Sequence, residues 1–254
     1  MTYKRKEIIG DCTLYFGDCL AVMPTLGKVE HIISDPPYEK EAHKKDRRTQ
    51  KSVKTGINVS LDFDMITEEI RDFITEWSVN NCNGWAMYFC QAEAVGNWRD
   101  SIEKFEGKYK RPMIWVKPDS TPQLNGQMPA IGYESIVLQS CFKGHCSWNG
   151  GGKRGVFTHL TNNKDREGTH PTEKPISLMI ELVKLFTNQD NMVFDPFMGS
   201  GTTGVACVKL GRKFIGIELN EKYFDIACKR IEEAYRQPDM FIEPPKKIIQ
   251  ETLL

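Results

Sequence analysis

Two prolines in succession, Pro36 and Pro37, follow a short apolar run, His31-Ile32-Ile33-Ser34, that reads as a buried strand. Neither proline has an N–H to donate, so a sheet ladder cannot run through them. The chain must leave the sheet at Asp35 in a stiff, extended turn. That turn points the Asp35 carboxylate, the Pro36 carbonyl and the Tyr38 ring beyond the strand's carboxyl end, where open α/β sheets bind ligands. Two acceptors and one aromatic face suit a planar base that carries an exocyclic NH2. A plain proline-rich turn with a surface Asp and a packed Tyr would use the same four residues, so the rest of the chain decides.

A second apolar run, Val193-Phe194, ends at Asp195 and gives way to Pro196-Phe197-Met198-Gly199-Ser200-Gly201-Thr202-Thr203. Glycines allow positive φ and close approach of the backbone to a ligand. The helix that follows presents free N–H donors at its start. The next strand, Lys213 to Ile217, ends at Glu218, an acid placed to accept from ribose hydroxyls. The last glycine, Gly204, has the offset of a dinucleotide loop, but Asp195-Pro196-Phe197 stands where such a loop usually has glycine. No Gly-Lys-Ser/Thr follows, so a P-loop is excluded.

With His170-Pro171-Thr172-Glu173-Lys174-Pro175 between them, these two stretches resemble the amino-methyltransferases of DNA. The order, catalytic motif first and cofactor motif last, resembles the β class, most closely its N6-adenine enzymes from prokaryotes and phages. The resemblance covers residues 11–38 and 84–235. It implies S-adenosylmethionine as methyl donor. It also implies a Rossmann-like α/β fold: a seven-stranded, mostly parallel sheet with helices on both faces and a circularly permuted motif order. The catalytic residues it implies are Asp35, Pro36, Pro37 and Tyr38. The cofactor residues are Asp18, Asp195, Pro196, Phe197, Gly199, Ser200, Gly201, Thr202, Thr203 and Glu218, with His170, Thr172 and Lys174 closing over the methionine end. The implied reaction methylates the N6 amine of an adenine flipped from duplex DNA, with Tyr38 stacked on the base. Cytosine N4 requires the same chemistry and stays open, as does an inactive subunit that only binds DNA or the cofactor. A homodimer and a cognate restriction enzyme are further expectations from the family.

The distribution of charge adds to this. The net charge is zero, which argues against a wholly basic nucleic-acid binder. Yet Lys40, Lys44, Lys45, Arg47, Arg48, Lys51 and Lys54 crowd the segment after Tyr38, against only Glu41 and Asp46. We expect residues 39–60 to be a DNA-contacting loop, with Lys44, Lys45, Arg47 and Arg48 on phosphates. Residues 118–169 are rich in Gly, Pro, Asn and Gln and hold Lys153 and Arg154; by resemblance they carry target recognition. The expected layout is one domain over residues 1–235 and a tail over 236–254.

Eight scattered cysteines without a C-x-x-C pair indicate a reduced, cytosolic chain. Cys141, His145, Cys146 and His159 match no usual zinc spacing, and no metal is expected. No apolar run approaches the ~20 residues of a membrane span. In chain order we expect a strand at Thr13–Gly17, a short helix at Cys19–Leu26 and the strand before Asp35. A helix at Asp64–Asn80 precedes strands at Trp85–Cys90, Pro112–Lys117 and Ser135–Gln139. The helix at Pro175–Thr187 is apolar nearly all round, which suggests deep burial or a subunit contact. A helix over Asn220–Tyr235 finishes the fold.

Overall fold

The computed structural model describes residues 2–39, 65–121, 127, 129–142, 144, 146, 148–161 and 173–236. The expectations for Lys44, Lys45, Arg47 and Arg48, for His170 and Thr172, and for the tail fall outside the described residues.

Among the described residues, nine strands form one sheet. They are β1 (Arg5–Ile9), β2 (Cys12–Phe16), β3 (His31–Ser34), β4 (Trp85–Cys90), β5 (Lys108–Val116), β6 (Tyr133–Ser140), β7 (Val156–Thr158), β8 (Met192–Asp195) and β9 (Lys213–Glu218). Their spatial order is β1-β2-β9-β8-β3-β4-β6-β5-β7. The seven from β2 to β5 in that order are those the sequence led us to expect; β1 and β7 are added at the edges. The pairs β2–β9, β9–β8, β8–β3, β3–β4 and β5–β7 are parallel, while β1–β2, β4–β6 and β6–β5 are antiparallel.

Among the described residues, six helices cover the sheet: α1 (Cys19–Val22), α2 (Glu68–Asn81), α3 (Val95–Lys104), α4 (Ile176–Phe186), α5 (Thr202–Lys209) and α6 (Glu221–Arg236). Period-two alternation in the strands builds a core on each face. On β4, Met87 and Phe89 pack with α4, α5 and α6, whereas Ala86, Tyr88 and Cys90 pack with α1, α2 and α3. Tyr88 stacks on the fully buried Trp98 of α3, with ring centroids 4.4 Å apart. Burying a ring of this size contributes roughly 1.5–3 kcal/mol.

Local chemistry explains where elements stop. The helix after Asp18 is α-helical only to Val22 and tightens to a 3-10 turn at Met23–Thr25, where Pro24 lacks the N–H for another α-helical bond. The helix expected from Asp64 starts at Glu68, because the Thr67 hydroxyl accepts from Ile70 N and caps it. In α4, Leu178, Met179, Leu182, Val183 and Phe186 are buried, and Ile176, Ile180 and Leu185 pack half-buried against the same core. Its apolar circumference is therefore largely used inside the chain. All eight cysteines are free, five of them buried. Among the described residues, no helix is long and apolar enough to cross a membrane.

The topology fixes where ligands can enter. From β8 the chain crosses through α5 to β9 on one side, while from β3 it crosses through α2 to β4 on the other. Parallel β8 and β3 are neighbours, paired at His31 with Val193 and Ile32 with Phe194. Asp195 and Asp35 thus end adjacent strands at the point where the crossover direction reverses, the location of a ligand crevice in an open sheet.

Candidate active site

Three strand ends converge on Asp35. β6 runs antiparallel to β4, with Ser135 opposite Cys90, so β6 begins where β4 ends. β5 runs antiparallel to β6, with Val116 opposite Tyr133, so Lys117 arrives at the same edge. Lys174, just before α4, completes the group. Its ammonium donates to Asp35 Oδ2 at 2.6 Å and to the Tyr38 hydroxyl at 3.4 Å, and lies 3.3 Å from Glu134 Oε2. Tyr38 donates its hydroxyl hydrogen to Glu134 Oε2 at 2.6 Å. Lys117 pairs with Glu134 Oε1. Among the described residues nothing bonds the other oxygen of Asp35, Oδ1, although it is shielded from solvent.

The electrostatics separate the two acids. Burial pushes the Asp35 carboxyl above its ordinary range; the Lys174 ammonium opposes this and Glu134 adds to it. Burial acts upward on Glu134 too, but Lys174 and Lys117 together bring it down to about 2. Burial acts downward on Lys174, and the two carboxylates outweigh it, so the ammonium holds its proton. Tyr38 is raised far above its usual range, chiefly by burial, and stays a neutral donor. Glu134 is a fixed anion and Asp35 is the group left to titrate.

The Gly-rich loop lies beside this cluster. Gly199 and Gly201 have φ of +52° and +82°, a left-handed backbone that side chains rarely adopt. A Cβ on Gly201 would also stand 2.8 Å from that of Ala227 in α6. Glu218 pins the loop, because its carboxylate accepts from Gly199 N at 3.0 Å and Asn220 N at 2.7 Å. Gly17 N donates to the Glu218 carbonyl at 2.9 Å, which brings the exposed Asp18 to the same rim. Leu219, 63% exposed, stands next to Glu218.

Several expected cofactor residues turn inward instead. Asp195 is only 2% exposed and accepts from Ser34 Oγ at 2.7 Å, Thr203 Oγ1 at 2.8 Å and Phe197 N at 3.1 Å. Burial raises its carboxyl to about 7, against those three hydrogen bonds. Arg230 of α6 donates to Ser200 O and Oγ at 2.8 and 2.9 Å and to Thr202 Oγ1 at 3.2 Å, and pairs with Glu173. The side chains of Asp195, Ser200, Thr202 and Thr203 therefore build the loop. Pro196 is buried and Phe197 half-buried beside them. Lys174, expected over the cofactor, places its ammonium on Asp35.

Lys153 and Arg154 are not brought to this crevice. β7 is parallel to β5 with Val156 opposite Ile114, so Lys153 and Arg154 precede β7 on the side away from Lys117. Lys153 pairs there with Glu181 of α4. Conversely, sequence reasoning missed Glu134, Lys117 and Arg230. A signal existed for two of them: Glu134 is a lone acid at the head of an apolar strand, and Arg230 interrupts the apolar stripe of Ala227, Ile231 and Ala234.

A family model for DNA methylases of the N6/N4 type matches residues 29–229. The chain belongs to that family. The type II methyltransferase M2.LlaDCHI of Lactococcus lactis subsp. cremoris is 39% identical over 226 residues, 80% of this chain and 82% of the relative. M.HinfI of Haemophilus influenzae is 27% identical over 278 residues, 95% of this chain and 76% of that enzyme. Among solved structures, the M1.HpyAVI–SAM complex superposes with a TM-score of 0.69 at 25% identity, covering 87% of this chain and 98% of that one. The PvuII DNA methyltransferase, described as cytosine-N4-specific, gives 0.71 at 14% identity over 92% of this chain and 95% of its own. An enzyme described as cytosine-N4-specific thus shares this fold.

Proposed function

We propose that this chain transfers a methyl group from S-adenosylmethionine to the N6 amine of an adenine turned out of DNA. The observation that carries this is Asp35 Oδ1 at the end of β3, which has no partner among the described residues, with the other oxygen held by Lys174. An aromatic amine is a poor nucleophile because its lone pair is delocalised into the ring. A carboxylate that accepts one amine N–H favours a pyramidal nitrogen with its lone pair released. The Pro36 carbonyl is the second acceptor and the Tyr38 ring the stacking surface. The carboxylate also stabilises the positive charge that develops on nitrogen. When the methylated amine sheds its extra proton, Asp35 Oδ1 is the acceptor at hand.

S-adenosylmethionine supplies an electrophilic methyl on a sulfonium. The residues present fit it: Glu218 and Asp18 offer carboxylates at the ends of adjacent strands, Leu219 an exposed apolar face for a flat ring, and Gly199 and Gly201 backbone without side-chain bulk, the Ser200 side chain between them being turned to Arg230. The intact cluster and loop argue against an inactive subunit. Cytosine N4 is the second reading, favoured by the cytosine-specific PvuII enzyme sharing the fold. Tritiated S-adenosylmethionine, incubated with the chain and unmethylated DNA, should place label in N6-methyladenine after digestion to nucleosides. Label in N4-methylcytosine would select the second reading, and label in RNA or protein alone would overturn both.

A further inference from the structure

We propose that Glu134 is a positioning residue for the transfer: it holds the Tyr38 hydroxyl and the Lys174 ammonium so that Asp35 keeps one oxygen free for the target amine. This role rests on the amine-methylation reading above.

Glu134 is 14% exposed at the side chain, and so many charges at this depth need a reason. Two acids and two ammoniums meet here, and apolar residues of similar volume would hold a core as well or better. The donors explain the arrangement. Lys174 carries three N–H bonds, with Asp35 Oδ2, the Tyr38 oxygen and Glu134 Oε2 as partners at 2.6, 3.4 and 3.3 Å. Tyr38 has one hydroxyl hydrogen, and Glu134 takes it at 2.6 Å. Without Glu134, that hydrogen and the released lysine proton would have Asp35 as the nearest anion, and Oδ1 would fill before substrate arrived. Glu134 also fixes the Tyr38 ring from its hydroxyl end, while Lys174 lies 5.3 Å from the ring centroid. Lys117 keeps the group neutral overall.

Two variants of the full chain test this, Glu134→Gln and the charge-balanced, apolar Lys117→Met/Glu134→Leu. The second retains the test if the first does not fold, because it leaves no uncompensated buried ammonium. Calorimetry with S-adenosylmethionine should give affinity within about threefold of wild type for both, since Glu218 and the Gly-rich loop are untouched. Methyl transfer to unmethylated DNA should lose about tenfold to a hundredfold in kcat, with KM for DNA changed by less than about threefold. The balanced variant should be at least as slow as Glu134→Gln. Recovery of kcat in the balanced variant would mean that Glu134 only neutralises lysines, and would overturn the proposal. So would a raised KM with unchanged kcat. A wild type that methylates no DNA would overturn the parent reading and this role together, a result distinct from slow variants beside an active wild type.

Discussion

At the scale of single residues, Asp35 has two oxygens in different circumstances. Oδ2 is bound to Lys174, and Oδ1, though shielded from solvent, has no hydrogen-bond partner among the described residues. Asp35→Asn places an amide where an acceptor is needed and removes the charge that offsets Lys174. We expect methyl transfer to fall at least about a hundredfold, the loss of a charged hydrogen bond made in the transition state. Cofactor affinity should stay within a few fold; calorimetry showing its collapse in a folded variant would place Asp35 on the cofactor instead. This residue was legible because its signal is local: prolines that cannot join a ladder mark the turn by themselves. Lys117 was not legible, and Glu134 only as a lone acid at the head of an apolar strand, because their partners lie on other elements and no spacing in the chain encodes the meeting. Lys174 stood in a noted motif, but its partner could not be read without the packing of α4 against β3.

At the scale of elements, a buried ion pair between Arg230 of α6 and Glu173 ties the Gly-rich loop to the segment before α4, and Thr202 Oγ1 of the loop also donates to Glu173 Oε1 at 3.2 Å. Arg230 is 8% and Glu173 4% exposed at the side chain, and Arg230 also bonds Ser200 and Thr202. Removing one partner leaves an uncompensated buried charge. Arg230→Met should therefore cost about 3–5 kcal/mol of stability, measured as a fall in the urea midpoint, and should weaken cofactor binding by loosening the loop. A loss below 1 kcal/mol would show that the pair is dispensable. Most elements could be read from periodicity, and Trp85–Cys90 matches to the residue. The edge strand β1 could not. Its Arg5-Lys6-Glu7 start is charged, Ile8 is 68% exposed, and only pairing with β2 makes it a strand. The 3-10 turn at Met23–Thr25 was missed because the helical apolar spacing continues past Pro24, which stops the α-helix.

At the scale of the whole molecule, charge placement governs both stability and partner choice. Asp195 has a folded pKa of about 7, raised by burial from an ordinary 3.8. Between those values the folded state binds more protons than the unfolded, so this group's contribution is full below about pH 4 and is lost as pH rises toward 7. The loss is about 4 kcal/mol. Asp195→Asn cannot titrate, so its urea midpoint should lack that downward slope; parallel curves for the two proteins from pH 4.5 to 8 would refute it. The second consequence concerns DNA. Many cations of the described residues are matched internally: Lys117 and Lys174 with Glu134, Lys153 with Glu181, Arg71 with Glu39 and Arg230 with Glu173. The seven basic residues from Lys40 to Lys54 face only two acids in sequence. The chain enters that segment from Glu39, which Arg71 holds at 2.6 Å and Asn97 at 2.9 Å, next to the Tyr38 that would stack on the base. We propose that these charges bind the phosphates of the strand from which the base is turned out. Each phosphate neutralised adds about 0.9 to the slope of log affinity against log salt. Replacing Lys44, Lys45, Arg47 and Arg48 by Gln should flatten that slope by up to about three to four units, if each charge meets a phosphate. Cofactor affinity should not change, because Glu218 and the Gly-rich loop belong to β8, β9 and their connection. DNA affinity at several salt concentrations decides it, and equal slopes for wild type and the quadruple variant would make the segment an ordinary solvated face.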